Sequence, residues 1–416
     1  MSSNPALPEK NVTTNDTTAP TTAAFETGRV GRIGIGPADR SETDATIGAF
    51  TDWLLAEEPH IAGFPGNLSF DYSRYGALLA TLCNSVGDPG SPDASGVGGK
   101  TFERRILEFL TDFTRGDRDH TYGYLTSGAS EANLFGLLTA RTTLPRAPVY
   151  VTAATHYSVT KAARILRMDV VQVPMLADDT MDPGALAYRT AARRGGAIVV
   201  ATTGTTMLGS TDDLPALRQA AAASGPVYVH VDGALGGWIT PFEAGVSVSD
   251  FSAGADSIAL SAHKWPGHPL PTGIALARRH LVSAVAAGEY IGATDHTMAC
   301  SRSGTAAVIL WAALRGLGYH GLRRMTENAL AVAEHLHTRL TALGLGAQRH
   351  GITVSFALPP SHAGWDALRA RWHLPAQHRG GVLLTHVITV PHLGYGQVDE
   401  LADDVAAVLA RNGGAR

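Results

Sequence analysis

The chain has 416 residues, 44% of them hydrophobic and 17% charged, and its 33 Lys and Arg against 37 Asp and Glu leave a net charge of −4. This describes a compact protein of two or three lobes without the basic excess of a nucleic-acid or anionic-membrane binder. Two cysteines, Cys83 and Cys300, are too few for a disulfide framework or a cysteine metal site, and no apolar run reaches about 18 residues, so a reducing cytoplasmic setting without a membrane span is expected.

Residues 1–42 are rich in Thr, Asn, Pro and Ala without an apolar period and read as a disordered arm. Residues 43–115 form an N-terminal segment in which helical spacing begins at Ile47, Phe50, Trp53 and Leu54 and breaks at Pro59. The irregular aromatic stretch 64–72 follows, read either as a packed loop or as one that touches substrate. The loop 87–101 ends Gly99-Lys100-Thr101 and invites comparison with a phosphate-cradling loop, but that spacing needs glycine where the chain has Ala94, and no buried strand precedes it. Lys100 is therefore expected to be solvated, ahead of a helix over 102–113.

In 116–300 short apolar strands, over 149–152, 170–174, 197–202, 227–231, 257–260 and 274–277, alternate with helices over 131–141, 159–166, 183–193 and 214–223. This alternation predicts an α/β fold with a mainly parallel sheet, helices on both faces and ligands at the carboxyl ends of the strands. In 301–416 a long helical stretch, 305–337, links to a smaller α+β domain with strands over 353–357 and 383–390 and a last helix over 397–411.

Only four lysines occur, Lys10, Lys100, Lys161 and Lys264. Lys264 lies just past a strand in the Pro/Gly-rich run 261–273, where a helix cannot continue. A poorly solvated lysine can lose its proton and become a nucleophile, as in a Schiff base with a carbonyl cofactor such as pyridoxal phosphate. Asp232, at the end of another buried strand, needs a cationic partner or several hydrogen bonds; a protonated pyridine nitrogen is one such partner, and a helix cap is the plainer reading. The small-residue turn 126–133, containing Ser127, Gly128 and Ala129, opens a helix either as an anion site or as a capping box in which Ser127 or Ser130 caps and Glu131 lies in the first turn. His156, in a strand-to-helix loop, offers a ring to stack or a proton to donate, or is only a satisfied polar group; His263 has the same ambiguity beside a phosphate. Neither His263 with His268 nor His335 with His337 has the spacing of a metal site, so no metal is expected.

Together, the turn 126–133, His156-Tyr157-Ser158-Val159, Asp232-Gly233-Ala234 and Ser261-x-His263-Lys264-x-x-Gly267-x-Pro269 resemble the group II pyridoxal-phosphate-dependent amino-acid decarboxylases, nearest to short bacterial histidine decarboxylases and similar plant serine decarboxylases. The resemblance runs from about Phe64 to the last helix and implies a fold-type I architecture with pyridoxal 5'-phosphate as cofactor. It implies that Lys264 binds the cofactor aldehyde, Asp232 pairs with the ring nitrogen, His156 stacks on the ring and Ala234 packs on its other face. Ser127, Gly128 and Ala129 with Ser261 and His263 surround the phosphate on this reading, and Thr205 or Thr206 bonds the ring substituents. Ser301, Arg302 and Ser303 are similar to a segment that reaches the partner subunit's site, which implies a homodimer. The implied reaction is α-decarboxylation of an L-amino acid, histidine first, with Phe64, Tyr72 and His268 as substrate contacts. Gly233, Trp238, Trp265 and His268 depart from the family's pattern and leave the substrate open. An aminotransferase, a carbon–sulfur lyase, an oxidative deaminase and a catalytically silent relative share the same lysine and aspartate.

Overall fold

Six consecutive residues of the strand Ala197–Thr202 are buried, as are all five of Ser257–Ser261. Runs of this kind, without polar alternation, belong to strands covered on both faces. They lie inside a seven-stranded sheet ordered Thr121–Thr126, Gly273–Arg278, Ser257–Ser261, Val227–Asp232, Ala197–Thr202, Val149–Val151 and Val170–Gln172. Gly273–Arg278 alone runs opposite to the other six strands, antiparallel to both of its neighbours. The computed structural model describes residues 30–31, 33, 35–93, 96–284, 286–289, 293–358, 363–379 and 381–413.

The six expected strands and the helices between them are present, with ends moved by a residue or two. The edge strand Thr121–Thr126 adds a seventh, where Gly123 and the two tyrosines mask an aliphatic run. The C-terminal domain is a four-stranded antiparallel sheet ordered Gln348–His350, Thr353–Leu358, Val382–Ile388 and Ala376–Arg379. The long helical stretch spans Gly304–Ala342 but breaks at Gly318, where φ is 58° and ψ −175°. Among the described residues no helix is long and apolar enough to cross a membrane.

Two expectations for the N-terminal third need correction or placing. The disordered-arm reading of 1–42 falls mostly outside the described residues, but a helix capped by Asp39 already runs from Arg40 to Glu57 with no buried residue. Lys100 is not solvated. It is the first residue of the helix Lys100–Phe113 and only 1% exposed, and its Nζ donates to Ser91 Oγ and the Pro92 carbonyl, both at 3.1 Å. The preceding loop folds back over it, supplying acceptors that the spacing of residues does not reveal, and burial pushes its pKa down. Nearby, Asn84–Val86 pairs antiparallel with Ser301–Ser303.

Candidate active site

Because neighbouring strands run parallel, the segments after Val151, Thr202, Asp232 and Ser261 emerge at one edge of the sheet, where they line a cavity of about 530 Å³. Lys264 lies in the turn after Ser257–Ser261. That turn is closed by Ala262 N–H to Thr272 O (2.8 Å) and Gly267 N–H to Ala262 O (3.1 Å), and it is braced from outside by Asn67, whose N–H donates to Lys264 O (3.1 Å) and whose amide donates to Pro266 O. The Lys264 amine has no hydrogen-bond partner among the described residues, and burial pushes its pKa down against the opposing Asp232 charge.

Asp232 is 5% exposed and accepts from Asn133 Nδ2 (3.0 Å) and the Ala234 N–H (3.3 Å). His156 caps the helix Tyr157–Ile165: its Nδ1 accepts from the Ser158 N–H at 3.3 Å and lies 2.7 Å from Ser158 Oγ. Burial pushes the His156 pKa down, aided by Lys264 and opposed by Asp232. The helix Ala129–Thr143 starts at Gly128, whose φ of 134° and ψ of 166° suit a residue without Cβ, and no side chain caps it. Neither Ser127 nor Ser130 acts as the cap, although Glu131 accepts from the Ser127 N–H at 2.9 Å. The first turn is thereby left open to an anion. His263 stands beside it, with Nδ1 3.0 Å from Thr272 O and 3.2 Å from the Thr272 N, and burial lowers its pKa.

The cavity gathers Phe64, Ser127, Gly128, Ala129, His156, Thr205, Thr206, Asp232, Ala234, Ser261, His263 and Lys264. Thr205 is buried, its Oγ1 accepting from the Ser210 N–H (3.1 Å), while Thr206 is exposed. Tyr72 and His268 do not line the cavity. The Tyr72 hydroxyl donates to Gly267 O (3.0 Å) on the outer side of the lysine turn, and the His268 ring is buried with Nε2 3.1 Å from Ala306 O. Trp238 also stays behind the wall, donating from Nε1 to Ser261 O (3.1 Å). Arg302 is buried within its own chain against Glu103, flanked by the exposed Ser301 and Ser303.

Sequence reasoning did not single out Asn133, Ser158 and His230, which surround Asp232, nor His386, Glu243 and His350 on the far wall. A usable signal existed for His230: two residues before Asp232 on one strand, it shares the same face. The far wall had no such signal, since its residues come from the C-terminal domain and the short helical turn after Trp238.

A profile described as "Pyridoxal-dependent decarboxylase conserved domain" matches residues 102–356. The chain belongs to this family, and it is a pyridoxal-phosphate-dependent amino-acid decarboxylase of fold-type I. It is 32% identical over 348 residues to the histidine decarboxylase of Mesorhizobium japonicum, covering 83% of this chain and 92% of that one. With serine decarboxylase 1 of Oryza sativa subsp. japonica it shares 30% over 359 residues, 85% of this chain and 73% of that one. The L-methionine decarboxylase of Streptomyces sp. 590 has the same fold, with a TM-score of 0.84 at 23% identity, over 94% of this chain and 98% of that one.

The residues present fit the cofactor. A desolvated amine without a hydrogen-bond partner suits an aldehyde, a buried carboxylate suits a protonated ring nitrogen, and an uncapped helix start suits a phosphate.

Proposed function

We propose that the chain removes the α-carboxyl group of L-histidine, as a cytoplasmic homodimer. Bound at Lys264, pyridoxal phosphate supplies an electron sink for the pair left behind when carbon dioxide departs. The chain's own residues do the rest. Lys264, kept ready to lose its proton by burial, bonds the cofactor aldehyde; Asp232 holds a proton at the ring nitrogen; His156 lies against the ring; the amides at 127–129, with His263 and Ser261, hold the phosphate; Thr205 and Thr206 meet the ring substituents. The buried walls exclude water, so each charge acts in a poorly screened setting.

The observation that carries the choice of histidine is the polar far wall. His386, 2% exposed and donating from Nε2 to Gly63 O (3.0 Å), lines this side with Glu243 and His350, and the Glu243 carboxylate is half-buried beside Arg349. The Glu243 carboxylate can accept from an imidazole N–H, and an aliphatic side chain would leave it without that donor, so histidine is preferred over an aliphatic amino acid. Phe64 supplies aromatic surface at the mouth. The hydroxyl of serine would meet the same acceptor, and the likeness to a serine decarboxylase supports it as the second reading. Measuring carbon dioxide release from histidine, serine, tyrosine, leucine and tryptophan decides between them: histidine should be fastest, and release from none of the five would overturn the proposal.

The homodimer reading rests on unburied apolar surface. Ile47, Leu54 and Leu55 on the Arg40–Glu57 helix are exposed, as are Leu79 and Leu82 near a groove lined by Phe70, Tyr75, Leu270 and Ile309. A second copy would cover it, with Ser301 and Ser303 facing the boundary. Sedimentation of an active monomer at assay concentration would refute this.

A further inference from the structure

Behind Asp232 lies a chain of buried polar groups that no motif accounts for. Asn133 is 1% exposed, and its Nδ2 lies 3.0 Å from Asp232 Oδ2 and 3.0 Å from Ser158 Oγ. Its Oδ1 lies 2.9 Å from His230 Nε2, and His230 Nδ1 lies 2.7 Å from Ser257 Oγ. His230 is fully buried and Ser257 is 1% exposed.

These contacts have one consistent proton arrangement. An ionised carboxylate only accepts, so the Asn133 amide must present its NH₂ to Asp232; the second N–H then points at Ser158 Oγ. Oδ1 is left to accept, which requires a proton on His230 Nε2 and leaves His230 Nδ1 to accept from the Ser257 hydroxyl. Burial favours this neutral ring, pushing the His230 pKa down to about 4. At the other end, Ser158 Oγ, already accepting from Asn133, donates its own hydrogen to His156 Nδ1. A second contact agrees: the Ser158 N–H, which can only donate, also points at His156 Nδ1, at 3.3 Å. Room for the His230 ring comes from Gly136, one turn along the helix from Asn133, where a Cβ would lie 2.3 Å from the imidazole.

We propose that Asn133, oriented by His230, is a positioning residue that clamps the Asp232 carboxylate and fixes His156 as the neutral Nε2–H tautomer. A neutral ring matters at this place. An imidazolium at His156 would set a positive charge against a protonated pyridine nitrogen, whereas the Nε2–H tautomer offers one directed donor and no charge. Asn133 thus couples the two residues that hold the cofactor ring through a single amide.

The tautomer needs no cofactor to be observed; its consequence for catalysis rests on the decarboxylase reading. The first experiment is ¹⁵N NMR of the cofactor-free, histidine-labelled protein at neutral pH, with His156 and His230 identified by the loss of their signals in His156→Gln and His230→Gln. Both rings should show an unprotonated Nδ1 and a protonated Nε2. A protonated Nδ1 on either overturns the proposal whatever the enzyme's substrate, and this result does not depend on Asn133→Leu folding. The second uses Asn133→Leu, which removes the clamp at similar volume. It should give His156 a mixed tautomer signal and weaken pyridoxal phosphate binding by tenfold or more. His230→Gln, whose amide N–H can still donate to Asn133 Oδ1, should retain much of the binding that His230→Leu loses. Binding within twofold of the parent in Asn133→Leu overturns the clamp. Loss of decarboxylation with intact tautomers and binding would count against the functional reading instead.

Discussion

Removing the Glu103 carboxylate tests how the edge of the sheet is tied to the segment 301–303. Thr121–Thr126 is an edge strand, so its outward N–H groups need acceptors from elsewhere. Glu103 Oε1 accepts from the Leu125 N–H (2.8 Å), and the same carboxylate takes Arg302 Nη2 at 2.8 and 3.1 Å. The side chains of Arg302 and Glu103 are 6% and 1% exposed, so solvent screens the pair little. Truncating one partner of such a pair costs about 3–5 kcal/mol, because the other charge stays buried without compensation. Glu103→Ala should therefore lower the thermal midpoint by roughly 3–6 °C, at about 1 °C per kcal/mol for a chain this long. Glu103→Gln keeps an acceptor for Leu125 and should lose about half as much. Replacing both Glu103 and Arg302 by Met should recover a large part of the loss. Calorimetric or fluorescence melting of the cofactor-loaded proteins measures all three, and a midpoint for Glu103→Ala within about 1 °C of the parent would refute the reasoning.

Borohydride should fix the cofactor to the peptide containing Lys264, and Lys264→Ala should lose the visible band; fixation on another peptide would exclude that lysine. Asp232→Asn should keep the fold and much of the cofactor but lose about 10²–10³ in turnover, as when one preorganised electrostatic group is removed from a dry site. Turnover within tenfold of the parent would contradict its role. Burial pushes the Asp212 carboxyl up to about 6, outweighing the Thr202 and Met181 N–H donors at 2.7 Å each. With its folded pKa above the ordinary 3.8, the native state binds this proton more tightly than the unfolded chain does. Its ionisation cost is thus absent below about pH 4 and complete above about pH 6, amounting to about 3 kcal/mol. Asp212→Asn should gain on the parent as the pH rises through that window, and a stability difference that does not vary from pH 4 to 7.5 would refute the assignment.

That Lys264, Asp232 and His156 meet in one cavity was legible because each lies at or just past the end of a buried strand, and the parallel sheet brings strand ends together without further information. Asn133 was not, although it closed a quoted turn: its partners Asp232 and His230 lie 99 and 97 residues away, and only packing of the helix onto the sheet joins them. Lys100 was misread for a related reason, since its acceptors come from a loop whose fold-back leaves no periodic trace. Tyr72 and His268 were chosen for their chemistry, but a hydroxyl and a ring nitrogen serve equally well to brace a turn, and here they do so against Gly267 and Ala306.

The cavity also divides by origin. Its cofactor side is made from strand ends and a helix start of the large sheet, where Asn133, His230 and Ser257 hold Asp232 from behind. Its far side is made from His350–Thr353, His386 and Ile388 of the small sheet, with Gly63, Phe64 and Glu243. Among the described residues no hydrogen bond links His386 or Glu243 to the Asp232 network; they pair instead with Gly63 and with Arg349. Energetic coupling between separate, non-contacting groups is weak, so far-wall residues can change without disturbing the Asp232 carboxylate. On the proposed reading, substrate choice is thereby separated from cofactor chemistry in the fold, and motifs at the strand ends identify the reaction more firmly than the amino acid.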